Sequence, residues 1–200
     1  MAIRSFAVSF DYRCPFANIL HQHLIAALRD GAAFDVEFVP WTLSQGHRLD
    51  GELDVWDDTA KFDQLVALAA GVSVRDQQPE RFLDAHEALF SARHAGGIRL
   101  GTLSEVTQVL EAVGVNRDLL ISDLESKRPF RVIGESYRRF ERYEAFGVPT
   151  VVVGESAVFI RYMNSPNGDD SASTELIESF LTMIVEQPAL NEFKHTRLSA

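Results

Sequence analysis

The chain has 200 residues, a formal net charge of -10 and hydrophobic residues at 46% of its positions. These values are typical of a soluble globular protein with one domain and an insertion, or with two small domains. The acidic balance disfavours a nucleic-acid partner, because the phosphates would be repelled. No apolar stretch reaches the about 18 residues of a membrane span, and no apolar leader precedes a cleavage site. We therefore expect neither a membrane partner nor a signal peptide.

The N-terminal segment has the pattern of a strand, a helix and a second strand. Apolar side chains alternate loosely over residues 3–10 and again over residues 34–41, which predicts two strands. Between them, apolar residues recur at helical spacing over residues 16–28. Pro15 precedes this stretch, and proline suits the first position of a helix because its missing N–H costs nothing there. The short spacing predicts a βαβ unit with a right-handed crossover.

Helical patterns fill the middle of the chain, and strand patterns return near its end. The predicted helices cover approximately 62–71, 79–90, 102–114, 119–124 and 130–145. Two short strand patterns at 150–153 and 157–162 predict a hairpin, and a last helix covers 174–186. The order βαβ, helices, ββα predicts a mixed α/β fold. Residues 1–43 and 125–200 then build one domain, and residues 44–124 form an inserted helical domain.

Cys14 is the single cysteine, so no intrachain disulfide can form. This fits a reducing compartment, and we expect a cytoplasmic protein. The thiol lies where a strand ends and a helix begins, and the orphan N–H groups of a helix start favour an anion. Arg13 adds positive charge, so we expect a reactive thiol with a lowered pKa. The alternative is a small buried apolar cysteine with no chemistry.

Two motifs carry a resemblance to a known family. The segment FDYRCPFA at 10–17 resembles the active-site segment of the DsbA-like branch of the thioredoxin superfamily, which has Cys-Pro-x-Cys or Cys-Pro-x-x there. The segment GVPT at 147–150 is similar to the cis-proline loop that precedes a strand in this family. The tail LNEFKHTR at 190–197 resembles the ending of actinobacterial members, some of which are mycothiol-dependent reductases.

The resemblance implies a thioredoxin-like fold with an inserted helical domain. It implies that Cys14 is the catalytic nucleophile, and that Pro15, Val148 and Pro149 shape the substrate site, with a cis peptide before Pro149. The second cysteine of the family would fall at position 17, where this chain has Ala17. Release of a mixed disulfide would then need an external thiol. We expect no tightly bound cofactor, and mycothiol or glutathione as the small-molecule co-substrate.

Two other functions stay open on the same fold. Kappa-class glutathione transferases and 2-hydroxychromene-2-carboxylate isomerases resemble this architecture, typically carry serine at the position of the thiol, and bind a thiol cofactor for conjugation or isomerisation. A binding protein without catalysis is the third interpretation. The substrate and the oligomeric state are not determined by the sequence, a homodimer being one option.

The remaining candidates favour structural roles. His21 and His23 are two residues apart on a predicted helix, so they point in different directions and do not form a metal site. We expect no metal site, because no cluster has a recognisable ligand spacing. His86 lies on an apolar stripe, which predicts a core or interface histidine, and Trp41 is expected to be packed. The cluster of Arg138, Arg139 and Arg142 is expected to be a solvated face.

Overall fold

The computed structural model describes residues 4–195. The strands are β1 (Ser5–Phe10), β2 (Asp35–Pro40), β3 (Thr150–Val153) and β4 (Ser156–Phe159). The helices are α1 (Pro15–Arg29), α2 (Leu43–Gly46), α3 (Phe62–Gln77), α4 (Phe82–His94), α5 (Leu103–Glu111), α6 (Arg117–Glu125), α7 (Arg128–Glu141) and α8 (Asp170–Glu186). This order confirms the predicted βαβ and ββα units with helices between them.

The described range leaves out small parts of two predicted features. Ile3, the predicted first residue of β1, lies outside the described residues, as do Thr196 and Arg197 of the tail motif. The last helix begins at Asp170, four residues earlier than its apolar pattern indicates. The Asp169 side chain accepts a hydrogen bond from the Ala172 N–H, and this cap lets a polar first turn join the helix.

A four-stranded sheet in the order β2-β1-β3-β4 joins the two ends of the chain. Strand β1 pairs in parallel with β2 and antiparallel with β3, and β3 forms the hairpin with β4. Helices α1 and α8 pack against each other, so the last helix completes the domain begun by the first strand. The central position of β1 places its carboxyl end, where Cys14 follows, beside the start of β3.

The helices α2 to α7 lie between β2 and β3 in the chain, and α4 to α7 pack around α3. Ten consecutive residues of α3, from Leu65 to Val74, are buried, and α3 contacts α4, α5, α6 and α7. Helix α7 contacts both α3 and β2, so it joins the helical block to the sheet. The division of the domains at residue 124 stays a prediction. No helix within residues 4–195 has the length and apolar character needed to cross a bilayer.

A buried chain of hydrogen bonds links α4 to α1 and β1. The Tyr12 hydroxyl lies 2.8 Å from His86 Nδ1, His86 Nε2 lies 2.9 Å from His21 Nδ1, and His21 Nε2 lies 3.2 Å from the Ser9 carbonyl. His86 is fully buried, as predicted for a core histidine. The Ser9 carbonyl can only accept, so His21 donates to it and accepts from His86, which in turn accepts from Tyr12. With both imidazoles neutral, every group in the chain is satisfied.

Acid should destabilise the fold through these histidines. Burial lowers the pKa of His21 to about 4 and that of His86 well below its ordinary value. In the unfolded chain the histidine pKa values return to about 6.5. Between about pH 6.5 and 4 the unfolded chain therefore binds more protons than the folded one, so the free energy of unfolding falls as the pH drops through this range. We expect His21 alone to account for about 3 kcal/mol of this loss. Urea denaturation at several pH values measures it.

The exposed His47 supplies the control for the acid effect. A His47→Gln variant should keep the same dependence of the free energy of unfolding on pH. A wild-type free energy that stays constant between pH 6.5 and 4 would contradict the neutral, buried state of the chain.

Gly71 on α3 lies directly against the Tyr12 ring. A Cβ atom at position 71 would come within 2.8 Å of Tyr12 Cε2 and would collide with the hydroxyl. The ring is fully buried and hydrogen-bonded, so it cannot move aside without breaking the bond to His86. We expect Gly71→Ala to cost about 1–3 kcal/mol of unfolding free energy. The matched variant Gly46→Ala meets nothing nearer than 3.9 Å and should change stability little. Equal costs for the two variants would refute this account.

Candidate active site around Cys14

Cys14 is the N-cap residue of α1. Its backbone is extended, with φ -87° and ψ 119°, and Pro15 is the first helical residue. The Cys14 N–H donates to the Asp11 carbonyl at 2.9 Å, and the Cys14 carbonyl accepts from Asn18 at 3.0 Å. This tight turn presents the thiol at the start of the helix, where the sequence predicts it. Cys14 itself is partly exposed.

The loop before β3 faces the thiol. The Cys14 Sγ atom donates to the Val148 carbonyl at 3.1 Å, and the Val148–Pro149 peptide bond is cis. The Thr150 N–H donates to the Ser9 hydroxyl at 2.8 Å, and the Pro149 carbonyl accepts from the Ile160 N–H at 3.0 Å. The loop is therefore held by β1 on one side and by the end of β4 on the other. The structure thus brings Cys14 together with Val148 and Pro149.

The helical block also holds the turn that carries the thiol. The Nε2 atom of His94, the last residue of α4, lies 2.9 Å from the Tyr12 carbonyl oxygen. His86 of the same helix accepts a hydrogen bond from the Tyr12 hydroxyl. Tyr12 is thus fixed at its backbone and at its side chain, two residues before Cys14. Because both contacts come from α4, the position of the thiol depends on the docking of the insertion.

The expectation of a lowered thiol pKa is wrong. Burial raises the pKa of Cys14 above its ordinary value, and the nearby Asp11 carboxylate acts in the same direction. The backbone N–H groups of Ala17 and Phe16 lower it, as expected at a helix start, and so does the charge of Arg161. Desolvation of the thiolate outweighs these contributions. At rest the group is a protonated thiol that donates a hydrogen bond.

Arg13 does not supply the positive charge that its sequence position suggests. Its guanidinium forms an ion pair with Asp11 at 3.1 Å and donates to the hydroxyls of Thr42 and Ser44. Asp11 is almost fully buried, so this pair neutralises a carboxylate that would otherwise oppose the thiolate more strongly. The role of Arg13 is to hold the turn.

Arg161 is the cation that sequence reasoning missed. It follows Ile160 beyond the end of β4, and its guanidinium carbon lies 4.3 Å from the centre of the Phe16 ring in the first turn of α1. The signal in the sequence was an arginine at the end of the predicted hairpin, 12 positions after Pro149. Only the pairing of Ile160 with Pro149 shows that this position returns to the thiol.

Ala17 lies three residues after the thiol and is fully buried. Residues three apart lie on the same face of a helix, so this position adjoins Cys14. Its methyl group offers no sulfur, and Cys14 has no internal partner for a disulfide. The site contains one thiol and a backbone acceptor.

The other candidate residues have structural contacts elsewhere. Arg138 pairs with Asp54 and lies over Trp56, and Arg139 pairs with Glu37. Trp41 is buried and stacks on Tyr137, as expected for a packed tryptophan. His21 and His23 point to different partners, the second bonding Ser173 and the Asn164 carbonyl. Within residues 4–195, no group of three or more His, Cys, Asp or Glu side chains is arranged to hold a metal ion.

The raised pKa of Cys14 has a direct kinetic consequence. Only the thiolate is alkylated, so the rate of reaction with iodoacetamide should rise with pH to a midpoint above about 8.5, the value of a free cysteine. The same thiol in the urea-unfolded chain is the control and should show the ordinary midpoint. A folded-state midpoint below about 8.5 would mean that the helix start, and not burial, governs this thiol.

Known structures show the same fold. The chain is 20% identical to DsbA from Pseudomonas aeruginosa, with a TM-score of 0.59. The match covers 92% of this chain and 84% of that DsbA. MdbA from Actinomyces oris, a thiol-disulfide oxidoreductase, is 19% identical with a TM-score of 0.61, over 88% and 79%. A 2-hydroxychromene-2-carboxylate isomerase is 17% identical with a TM-score of 0.61, over 94% and 100%.

Sequence comparison places the chain in a family. A comparison with curated proteins finds no significant match. The model of the DSBA-like thioredoxin domain matches residues 7–164, a range that includes Cys14, the whole helical insertion and both strands of the hairpin. The chain therefore belongs to the DSBA-like thioredoxin domain family.

Proposed function

We propose that this protein is a monothiol thiol–disulfide oxidoreductase that acts with a low-molecular-weight thiol such as mycothiol or glutathione. The observation that carries the proposal is the contact of the single thiol, Cys14, with the Val148 carbonyl of the proline loop at 3.1 Å. Ala17 removes the internal partner and leaves the rest of the site in place. A cytoplasmic location would supply the thiol, and the site needs neither a metal nor a nucleic-acid partner.

The reaction is a pair of thiol–disulfide exchanges. Deprotonated Cys14 attacks one sulfur of a disulfide, forming a mixed disulfide, and the second sulfur leaves as a thiolate that takes up a proton from solvent. An external thiolate then attacks the substrate-derived sulfur of the mixed disulfide, and Cys14 leaves as the restored thiolate. Each cycle releases one half of the original disulfide as a thiol and joins the other half to one molecule of the small thiol. A second cycle on this new disulfide completes the reduction, so two molecules of the small thiol end as their own disulfide.

The neighbours of Cys14 divide the work of binding and activation. Val148 offers backbone groups against which an extended substrate segment pairs, Pro149 holds the loop through its bond to Ile160, and Pro15 closes the other side of the site. A substrate N–H that takes the Val148 carbonyl competes with the Cys14 thiol for this acceptor. Loss of that hydrogen bond to the protonated form favours ionisation. Substrate binding would therefore promote formation of the thiolate.

One observation favours a second function. A thiol with a raised pKa that donates a hydrogen bond is chemically similar to the serine hydroxyl that thiol-dependent transferases and isomerases typically carry at this place. In that case Cys14 would orient the sulfur of a bound thiol cofactor and form no covalent bond. A Cys14→Ser variant separates the two functions, because it abolishes exchange but preserves the hydrogen-bond donor.

The proposed function predicts a long-lived mixed disulfide. Incubation with glutathione disulfide should add one glutathione to Cys14, as seen by intact mass, and release should become faster in proportion to added thiol at low concentration. In Ala17→Cys the new sulfur, one helical turn away, should accelerate release at least about tenfold at low thiol, because the attack becomes intramolecular. Mycothiol disulfide is the parallel probe.

Ala17→Ser is the matched control, since it adds an atom at the same buried position but offers no resolving sulfur. Its mixed disulfide should persist as in the wild type. If neither disulfide modifies Cys14 while Cys14→Ser retains affinity for the reduced thiol, the transferase or isomerase function replaces this proposal. If Cys14 forms no adduct and the protein has no affinity for the reduced thiol, a binding protein without catalysis replaces both functions.

A further inference from the structure

We infer that Arg161 is a specificity-determining residue that binds a carboxylate of the small thiol or disulfide reacting at Cys14. The inference rests on the proposed function and adds the chemical class of the co-substrate, an anionic one. It is carried by the position of the guanidinium, by its free hydrogen-bonding groups and by the charge of the whole chain.

The position of Arg161 is fixed from two sides. The preceding residue, Ile160, donates its N–H to the Pro149 carbonyl at 3.0 Å, so the backbone is attached to the proline loop. The side chain extends to the first turn of α1, where its guanidinium carbon lies 4.3 Å from the Phe16 ring centre. A cation over an aromatic face at this distance is held by attraction to the ring. The charge therefore lies between the two segments that form the thiol site.

The donors of Arg161 are available to a ligand. Arginine side chains elsewhere, including Arg13, Arg138 and Arg139, are engaged by Asp11, Asp54 and Glu37. Among the residues that the structure describes, Arg161 forms no ion pair and its guanidinium donates no hydrogen bond to another side chain, and the residue is exposed. Stacking on Phe16 leaves the edge of the guanidinium free. That edge is the part that binds a carboxylate with two parallel hydrogen bonds.

Charge makes the assignment selective. The chain has a formal net charge of -10, which repels anions from most of its surface. The charge of Arg161 lowers the pKa of the Cys14 thiol, although less than burial raises it, which agrees with the position of the guanidinium beside the first turn of α1. Glutathione carries a carboxylate on either side of its cysteine, whereas mycothiol, a cysteinyl sugar, carries none. Arg161 therefore favours a co-substrate of the glutathione type over a neutral thiol.

The test compares two disulfides that share one peptide scaffold and differ in whether their four carboxylates are free or esterified. Wild-type protein is mixed with glutathione disulfide or with its tetraethyl ester, and the rate of adduct formation on Cys14 is followed by intact mass. We expect the disulfide with free carboxylates to react faster in spite of the acidic chain, and Arg161→Met to lower that preference about fivefold, as for an exposed ion pair. Arg161→Lys should retain part of it, and added salt should weaken it.

Two controls isolate binding of the carboxylate. Each rate is divided by the rate of alkylation with the neutral reagent iodoacetamide, which removes any change in the thiolate fraction. Arg131→Met removes one exposed positive charge from α7, where the side chain contacts the Ser126 carbonyl, and should leave the preference unchanged.

The outcomes separate this inference from the proposed function. A wild-type protein that reacts faster with the ester, or an Arg161→Met variant with the wild-type preference, overturns the role of Arg161 while leaving the exchange chemistry intact. If neither disulfide modifies Cys14, the proposed function itself fails. The wild-type comparison needs no substitution, so the inference can be tested even if a variant folds poorly.

Discussion

The buried hydrogen-bond chain from Tyr12 through His86 and His21 to Ser9 is the constraint on which the site depends. It connects α4 of the insertion to α1 and β1, and the Ser9 hydroxyl extends it to the backbone of the proline loop. The turn that carries Cys14 and the proline loop are therefore both hydrogen-bonded, directly or through the histidines, to Ser9 of β1. A core made only of apolar side chains would pack the same elements but would not fix their register so specifically.

The site shows how opposing contributions decide the character of one group. A helix start and a nearby arginine favour the thiolate, whereas burial and the Asp11 carboxylate favour the thiol, and burial prevails. Arg13 holds Asp11 in an ion pair and thereby limits the repulsion between the Asp11 carboxylate and the Cys14 thiolate. The resting state is a protonated thiol that donates a hydrogen bond to the Val148 carbonyl. In the proposed function, substrate contacts would convert this thiol into a nucleophile.

Local patterns were enough to predict the strands, the helices and a thiol at a helix start, because apolar periodicity and turn residues act over a few positions. The meeting of Cys14 with Val148 was expected from the resemblance of two short motifs to the DsbA-like family. The direction of the thiol pKa was predicted wrongly, because burial is a property of the assembled site. The roles of Arg13 and Arg161 were not predicted either, because they depend on contacts made after folding. Arg13 pairs with Asp11, whereas Arg161 lies over the Phe16 ring. His86 was placed in the core, but its partners were not predictable.

The hydrogen bond from Cys14 to Val148 bears on chemical damage. Oxidation of cysteine by peroxide begins at the thiolate, and its later products, the sulfinic and sulfonic acids, are largely irreversible. A monothiol has no neighbouring sulfur with which to trap the first product as a disulfide. Because the resting group is protonated and half-covered, most of its encounters with oxidants are unproductive. The same contact would thus protect the proposed enzyme from irreversible loss of its single thiol.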